Sequence, residues 1–504
     1  MLEEYHEDNH QEKNVVTEAH HHHHVLAALD NSSLSGFHLK AMLTSGMGFF
    51  TDAYDLFIIG VALAILTPLW NLSKFEISLI GSTSLIAAAI GSIIFGRLAD
   101  YVGRRSIYGF TLIVLAAGAI ASALAPGVIW LLIFRFILGL GIGGDYPLSA
   151  TLMSEYANRR DRGKLITMVF SMQGLGLILG PLVAIVLLAS GMNHDLVWRI
   201  MLALGAVPAL ATFYLRRQIA ETPRFALAMQ GDVEGATRTV EMVTRKQNVL
   251  TPAKGVQQNN ATTPAKSNAL SGKSWLYLLL TSRYLKWLIG AAGAWFLLDI
   301  AYYGTTISSP LVLKSLNPHS TLLTNMVYTL IIFVVAALPG YIVAAFTIDR
   351  LGRKFIQWFG FGMMALAYGL LFVAPALTTI TAAFLLVYGM SYFFTEFGPN
   401  VTTFVYPAEI FPVMVRTTAH GIAAAVGKIG AFVGAFAFPF LLTNFNLPGA
   451  MAVAAVISLA GLLLTIFTLP EPNQRSLEEI SDEHAVRAVH EERAKNKEKA
   501  VAAL

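Results

Sequence analysis

Twelve apolar stretches, each about the length of a bilayer crossing, constrain this chain more than any other feature. They lie near 44–66, 75–97, 106–125, 128–156, 165–190, 197–217, 284–309, 322–347, 355–374, 378–408, 417–443 and 447–469. A helix needs about 20 predominantly apolar residues to cross a hydrocarbon core about 30 Å thick. Hydrocarbon offers no hydrogen bonds, so a crossing segment must satisfy its own backbone groups, as a helix does. Only 13% of the 504 residues are charged, against about 25% in soluble domains. The expected fold class is an all-α membrane protein of twelve transmembrane helices in two six-helix pseudo-repeats.

Arginine and lysine sort by loop. "RLADYVGRRS" (97–106), "NRRDRGK" (158–164), the 216–286 region and "DRLGRK" (349–354) fall on one side. The opposite loops, near 67–74, 190–196 and 310–321, hold little beyond Lys74 and Lys314. The positive-inside rule then expects both termini and the long central loop in the cytoplasm. The net charge of +4 follows from that topology and carries no nucleic-acid signal. The lack of cysteine excludes disulfides and thiolate metal sites. Residues 1–40 are polar, without the apolar core of a cleavable signal peptide. The tract His20–His24 reads as part of a disordered tail, with loose metal binding as the alternative. Residues 251–273 read as a flexible linker. The expected division is a polar tail (1–43), a six-helix bundle (44–219), a central loop (220–283), a second bundle (284–469) and a C-terminal tail (470–504).

The two bundles echo each other about 250 positions apart. "ADYVGRRS" (99–106) is repeated as "IDRLGRKF" (348–355), each between the second and third helix of its half. "SEYANRRDRG" (154–163) matches "AEIFPVMVRTTAHG" (408–421), aligning Glu155 with Glu409 and Arg162 with Arg416. "AETPR" (220–224) and "PEPNQRSLEEI" (470–480) close the halves alike. Six plus six helices in parallel repeats is the layout of a rocker-type secondary transporter. Asp100, Arg104, Arg105, Glu155, Asp349, Arg353, Glu409 and Arg416 are its candidate gating residues; the alternative is that such charged turns only anchor helix ends.

"GRLADYVGRR" resembles the loop motif of the major facilitator superfamily, and "FRFILGLGIGG" its fourth-helix motif. "GGDYPLSATLMSE" resembles the signature of the phosphate:proton symporter family within it, and the similarity extends over both membrane halves through "GFFTDAYDLF", "WFLLDIAYY", "FGPNVTTFVYPAEIFP" and "RTTAHGIAAAVGKIGA". The resemblance assigns Tyr146, Gln173, Trp295, Asp299, Tyr303 and Asn400 to phosphate-contacting positions. These types suit the task. Phenol, amide and indole groups donate hydrogen bonds without fixed charge, and an ionised aspartate accepts from a P–OH.

Ionisable residues inside the apolar stretches mark function, because lipid does not solvate them. Asp52 and Asp55 stand three apart in the first helix, and Arg135 in the fourth needs a carboxylate partner. A pair with either aspartate fits the family's pattern, as a structural bridge or as a protonation switch. Asp145, beside Tyr146, is expected at a cavity where protons pass between it and Asp52. Trp295, Asp299 and Tyr303, at i, i+4 and i+8, line one stripe of the seventh helix. Lys428 in the eleventh helix balances Asp299, attracts the anion, or snorkels to an interface. Glu396 departs from the family pattern, where an amide is expected, and calls for a proton or for Lys428 as partner.

The expected function is a proton-coupled symporter importing inorganic phosphate across a plasma or cell inner membrane. Unit charges 4 Å apart interact by about 4 kcal/mol at an effective dielectric of about 20, so a protonated Asp299 would remove its repulsion of phosphate. Substrate and proton then assist each other. No ATP-binding sequence or cofactor motif is present, and no nucleophile or metal cluster suggests an enzyme. The alternatives are a symporter for another anion, a sugar or an organic metabolite, and a non-transporting nutrient receptor.

Overall fold

The computed structural model describes residues 24–245, 274–309, 312–313 and 319–483. His20–His23, Lys314 and the 251–273 linker lie outside the described residues. Among the described residues the secondary structure is helical, with no strand. Ten helices are long and apolar enough to cross a membrane. Nine of them make one crossing each: α1 Gly36–Trp70, α2 Lys74–Val102, α3 Arg104–Ala123, α4 Val128–Tyr156, α5 Arg162–Ala189, α6 His194–Arg217, α7 Ser282–Ile307, α8 Leu322–Leu351 and α9 Arg353–Val373.

The other three crossings are less regular. The tenth helical run, Arg416–Thr468, has 53 residues, about 80 Å at 1.5 Å per residue and too long for one crossing. It turns at Asn446, whose φ of 57° and ψ of −177° are not helical. We call its two parts α11 (416–445) and α12 (447–468). The remaining crossing, α10, is broken into Thr381–Phe397 and Pro399–Ile410. Proline lacks the N–H that would continue the helix. Gly398 also lies against Gly360 of α9 so closely that a side chain on either would displace the other helix.

Glycine also fixes the matched starts of α3 and α9. Gly103 and Gly352 have φ of 110° and 86°, values that L side chains rarely adopt. In α4, Gly139 and Gly143 lie against the backbone of Ser84 and Ala88 in α2, and Gly141 against α3. The "GLGIGG" run therefore serves close helix packing. The packing is paired across the molecule: α1 lies on α5 and α7 on α11. The first six helices meet the last six where α2 runs along α11 and α5 along α8.

Candidate transport site

Polar side chains from both sets of helices converge at mid-height. The hydroxyl of Tyr146 (α4) donates to Asp52 Oδ2 (α1) at 2.5 Å. Gln173 (α5) donates its amide to the Tyr146 oxygen at 3.4 Å, and Tyr341 (α8) donates to Gln173 Oε1 at 2.9 Å. Asn400 (α10) donates to the Tyr341 oxygen at 2.9 Å and also to Glu396 Oε2. On the other flank Lys428 (α11) donates to the Tyr303 hydroxyl, and its Nζ lies 3.7 Å from Asp299 Oδ2. That ammonium sits 4.3 Å from the ring centre of Tyr146 and 4.4 Å from that of Tyr303, within cation–π range. Trp295 packs on Tyr146 with ring centres 5.8 Å apart. All six expected phosphate-contacting residues are thus brought together, and all are buried.

Two aromatic layers seal this centre. On the side of the arginine-rich loops, Phe170 stacks on Phe404 at 4.6 Å, and Phe49 meets both Tyr146 and Phe404 edge-on. On the other side, Phe57 meets Phe333 at 5.7 Å, and Phe333 meets Tyr392 at 5.7 Å. Phe333 opens a π-helical stretch, Phe333–Ala337, within α8, a distortion frequent at functional sites. Beyond Phe57 a cavity of about 1090 Å³, lined by Gly60, Lys74, Ser78, Ile307 and Asn325 among others, occupies the arginine-poor end.

The arginine-rich end is shut by two matched cages. In one, Glu155 accepts from Arg104 at 3.3 Å and from Arg416 at 3.0 Å, and Asp100 pairs with Arg104 at 3.0 Å. In the other, Glu409 accepts from Arg353 at 2.8 Å and Arg162 at 3.1 Å, and Asp349 pairs with Arg353 at 2.9 Å. Each cage takes its closing arginine from the opposite set of helices. Asp100 also receives the backbone N–H groups of Thr417 and Thr418, and Asp349 those of Gly163 and Lys164. Each aspartate therefore caps the N-terminus of a helix in the opposite half, where a negative charge is favoured.

Outside the membrane-spanning helices, Arg224 ties Asp30 at 2.6 Å to Glu478 at 2.8 Å and donates to the Glu155 carbonyl. Burial alone would raise the Glu478 pKa, yet the Arg224 guanidinium outweighs it and holds the carboxyl at about 2.

Some open alternatives are resolved and other expectations are corrected. Arg135 pairs with Asp55, at 2.6 Å, which leaves Asp52 to Tyr146. Asp145 is no open cavity carboxylate: both its oxygens are taken by Arg216 of α6, and no hydrogen bond joins it to Asp52 among the described residues. Glu396 pairs with Asn400, and Lys428 faces Asp299. Arg105 stays exposed, and only its backbone N–H joins the cage region, through Glu221. Arg216, Tyr341, Arg162, Arg224 and Glu483, which pairs with Arg416 at 3.0 Å, also take part. Arg216 sits in "LRRQ" at a helix end and reads as a loop cation. Arg162 was visible through its alignment with Arg416.

This geometry can be set beside known proteins. The family profile "Sugar (and other) transporter" matches residues 12–484. The chain belongs to that family. Inorganic phosphate transporter 1-11 of Oryza sativa subsp. japonica is 38% identical, covering 91% of this chain and 90% of that one. Probable inorganic phosphate transporter 1-6 of Arabidopsis thaliana is 37% identical over 91% and 96%. These relatives bear out the resemblance to the phosphate:proton symporter family of the major facilitator superfamily. The proton:xylose symporter XylE, bound to 6-bromo-6-deoxy-D-glucose, superposes with a TM-score of 0.74 at 21% identity, covering 89% of this chain and 99% of that one. The likeness carries the all-α fold of a multi-pass membrane protein to this sugar (and other) transporter family member.

Proposed function

We propose that this protein imports inorganic phosphate together with protons by alternating access, as two six-helix bundles (44–219 and 284–469) rocking about the central site. Its place is a plasma or cell inner membrane, with both termini and the arginine-rich loops in the cytoplasm. The observation that carries the reading is the composition of the sealed centre. Neutral donors (Tyr146, Gln173, Trp295, Tyr303 and Asn400) surround one cation, Lys428, with Asp52, Asp299 and Glu396 close by. Asp55 and Asp145 are already balanced by Arg135 and Arg216. Three carboxyls against one ammonium leave no charge to spare for an anion, so phosphate enters with protons. Asp299, next to Lys428, is the coupling group, and the relatives named as phosphate transporters support the choice of substrate.

With that orientation the cavity faces outward and the cages form the closed inner gate. Radiolabelled phosphate uptake into proteoliposomes, driven by a proton gradient, tests the function. Arsenate should compete, and sulfate, carboxylates and xylose should not. Failure of arsenate to compete rejects phosphate, and binding without flux makes the protein a receptor. Gln173→Ala and Asn400→Ala remove donors to a charged ligand, each worth about 1.5–3 kcal/mol. Phosphate affinity should fall about tenfold to about a hundredfold in each purified variant.

A further inference from the structure

Tyr341 is buried at the joint of the polar network, between an amide of each half. Its ring is seated against Gly174, where a side chain would press on it, and faces Phe170 at 6.4 Å. Its hydroxyl donates to Gln173 Oε1 and accepts from Asn400 Nδ2. Asn400 has only two amide hydrogens, and its shortest contacts are to Glu396 and Tyr341, with Gln173 Oε1 farther off at 3.5 Å. Once phosphate draws one of them, with Glu396 keeping the other, the Tyr341 oxygen loses its donor. It is walled off from water, and an unsatisfied buried polar atom is costly. The Tyr341 O–H has Gln173 Oε1 and the Glu396 carboxylate as acceptors, so it stays committed while Gln173 offers phosphate its NH₂ end. What Tyr341 then has to present is an acceptor lone pair.

We propose that Tyr341 is a further substrate contact, whose hydroxyl oxygen accepts the P–OH of protonated phosphate. The proposal rests on the phosphate-site reading above and deepens it by naming a group that selects the protonated tetrahedral oxyanion. Sulfate has the same shape but no proton to offer, so this contact discriminates against it. The fully ionised form of phosphate is disfavoured for the same reason. Filling the site exchanges the Asn400–Tyr341 bond, which lies within the second half, for one bond from each partner to the ligand, while the Tyr341–Gln173 bond still joins the halves.

Tyr341→Phe keeps the ring and removes the oxygen. Phosphate and sulfate binding are measured on purified parent and variant, at a pH where monobasic phosphate predominates. Each is read also as the shift in melting temperature from that protein's own empty state, so a change in basal stability does not enter. Phosphate affinity should fall about tenfold, with sulfate binding unchanged. Unchanged phosphate affinity, or an equal loss for both anions, overturns the proposal; where sulfate binds neither protein, the phosphate constants alone decide. Gln173→Ala and Asn400→Ala run alongside. If they weaken phosphate binding and Tyr341→Phe does not, only this inference fails. If none of the three does, the site itself has been misread.

Discussion

At the arginine-rich end the two halves meet through buried guanidinium–carboxylate cages, whereas at mid-height they meet through phenols and amides. Arg162 reaches Glu409 and Arg416 reaches Glu155 across the first boundary. Tyr341 bridges Gln173 and Asn400 across the second. Removing one partner of a buried ion pair costs about 3–5 kcal/mol, while a neutral hydrogen bond contributes about 0.5–1.5 kcal/mol net. The charged boundary therefore behaves as a latch. The neutral one is a set of bonds that a ligand can replace one for one, so occupancy alters the centre at small cost. Under the proposed function, binding and gating have different chemistries within one interface.

The largest effect is expected at Asp299, the carboxylate beside the central Lys428. Asp299→Asn keeps the shape and neutrality of the protonated form, so phosphate should still bind, with weaker dependence on pH. The amide releases no proton, so gradient-driven accumulation should be abolished. Phosphate/phosphate exchange, which does not return an empty deprotonated carrier, should survive. Both are measured in the same proteoliposomes. Parent-like accumulation by the variant would move coupling to Asp52 or Glu396.

The next break is in the latch. Arg416→Ala leaves Glu155 with Arg104 and the Thr222 hydroxyl, and strips a partner from Glu483. The closed arginine-rich end should lose about 3–5 kcal/mol, which corresponds to about two to four orders of magnitude in its opening equilibrium. The chain has no cysteine, so a single Ala424→Cys, buried in α11 one turn from Lys428, reports opening through its rate of maleimide labelling. A parent-like rate in the Arg416→Ala background would show that the cages do not hold this end.

Much of this architecture is legible in the sequence, and the parts that are not share a cause. Apolar runs and repeated Gly-Arg motifs are local, so the crossings and most of the cage residues are visible from spacing. The aligned pairs Glu155/Glu409 and Arg162/Arg416 even foreshadow the exchanged arginines. Side-chain direction about a helix axis is not local. Asp145 follows a glycine run toward a tyrosine of the site, yet one step of rotation turns it to Arg216, 71 positions away. Arg216 itself ends an apolar helix, where a cation reads as a loop residue. Tyr341 lies in "LPGYIVAAF", where a tyrosine looks like lipid-facing packing, and only contacts 168 and 59 positions away reveal its hydroxyl as a joint. The break in α10 was hidden because Gly398 and Pro399 fall inside an otherwise unbroken apolar stretch.

The smallest effect should come from the peripheral tie made by Arg224. Glu478 is about one-sixth exposed, and Arg224 keeps Asp30 and the Glu155 carbonyl without it. The folded-state pKa of Glu478 lies at about 2, below its ordinary 4.5. A depressed carboxyl contributes stability that is full above the ordinary value and is lost as pH falls through the folded one. This tie is therefore intact from about pH 5 to about pH 8, and proton gradients in that range leave it untouched. Glu478→Gln should raise labelling at Ala424→Cys by less than about fivefold, in keeping with an ion pair worth under about 1 kcal/mol near solvent. The increase should be the same at both ends of that pH range. An effect as large as that of Arg416→Ala would shift the latch from the cages to the tails, and would mean that Asp30, Arg224 and Glu478 together govern opening of the arginine-rich end.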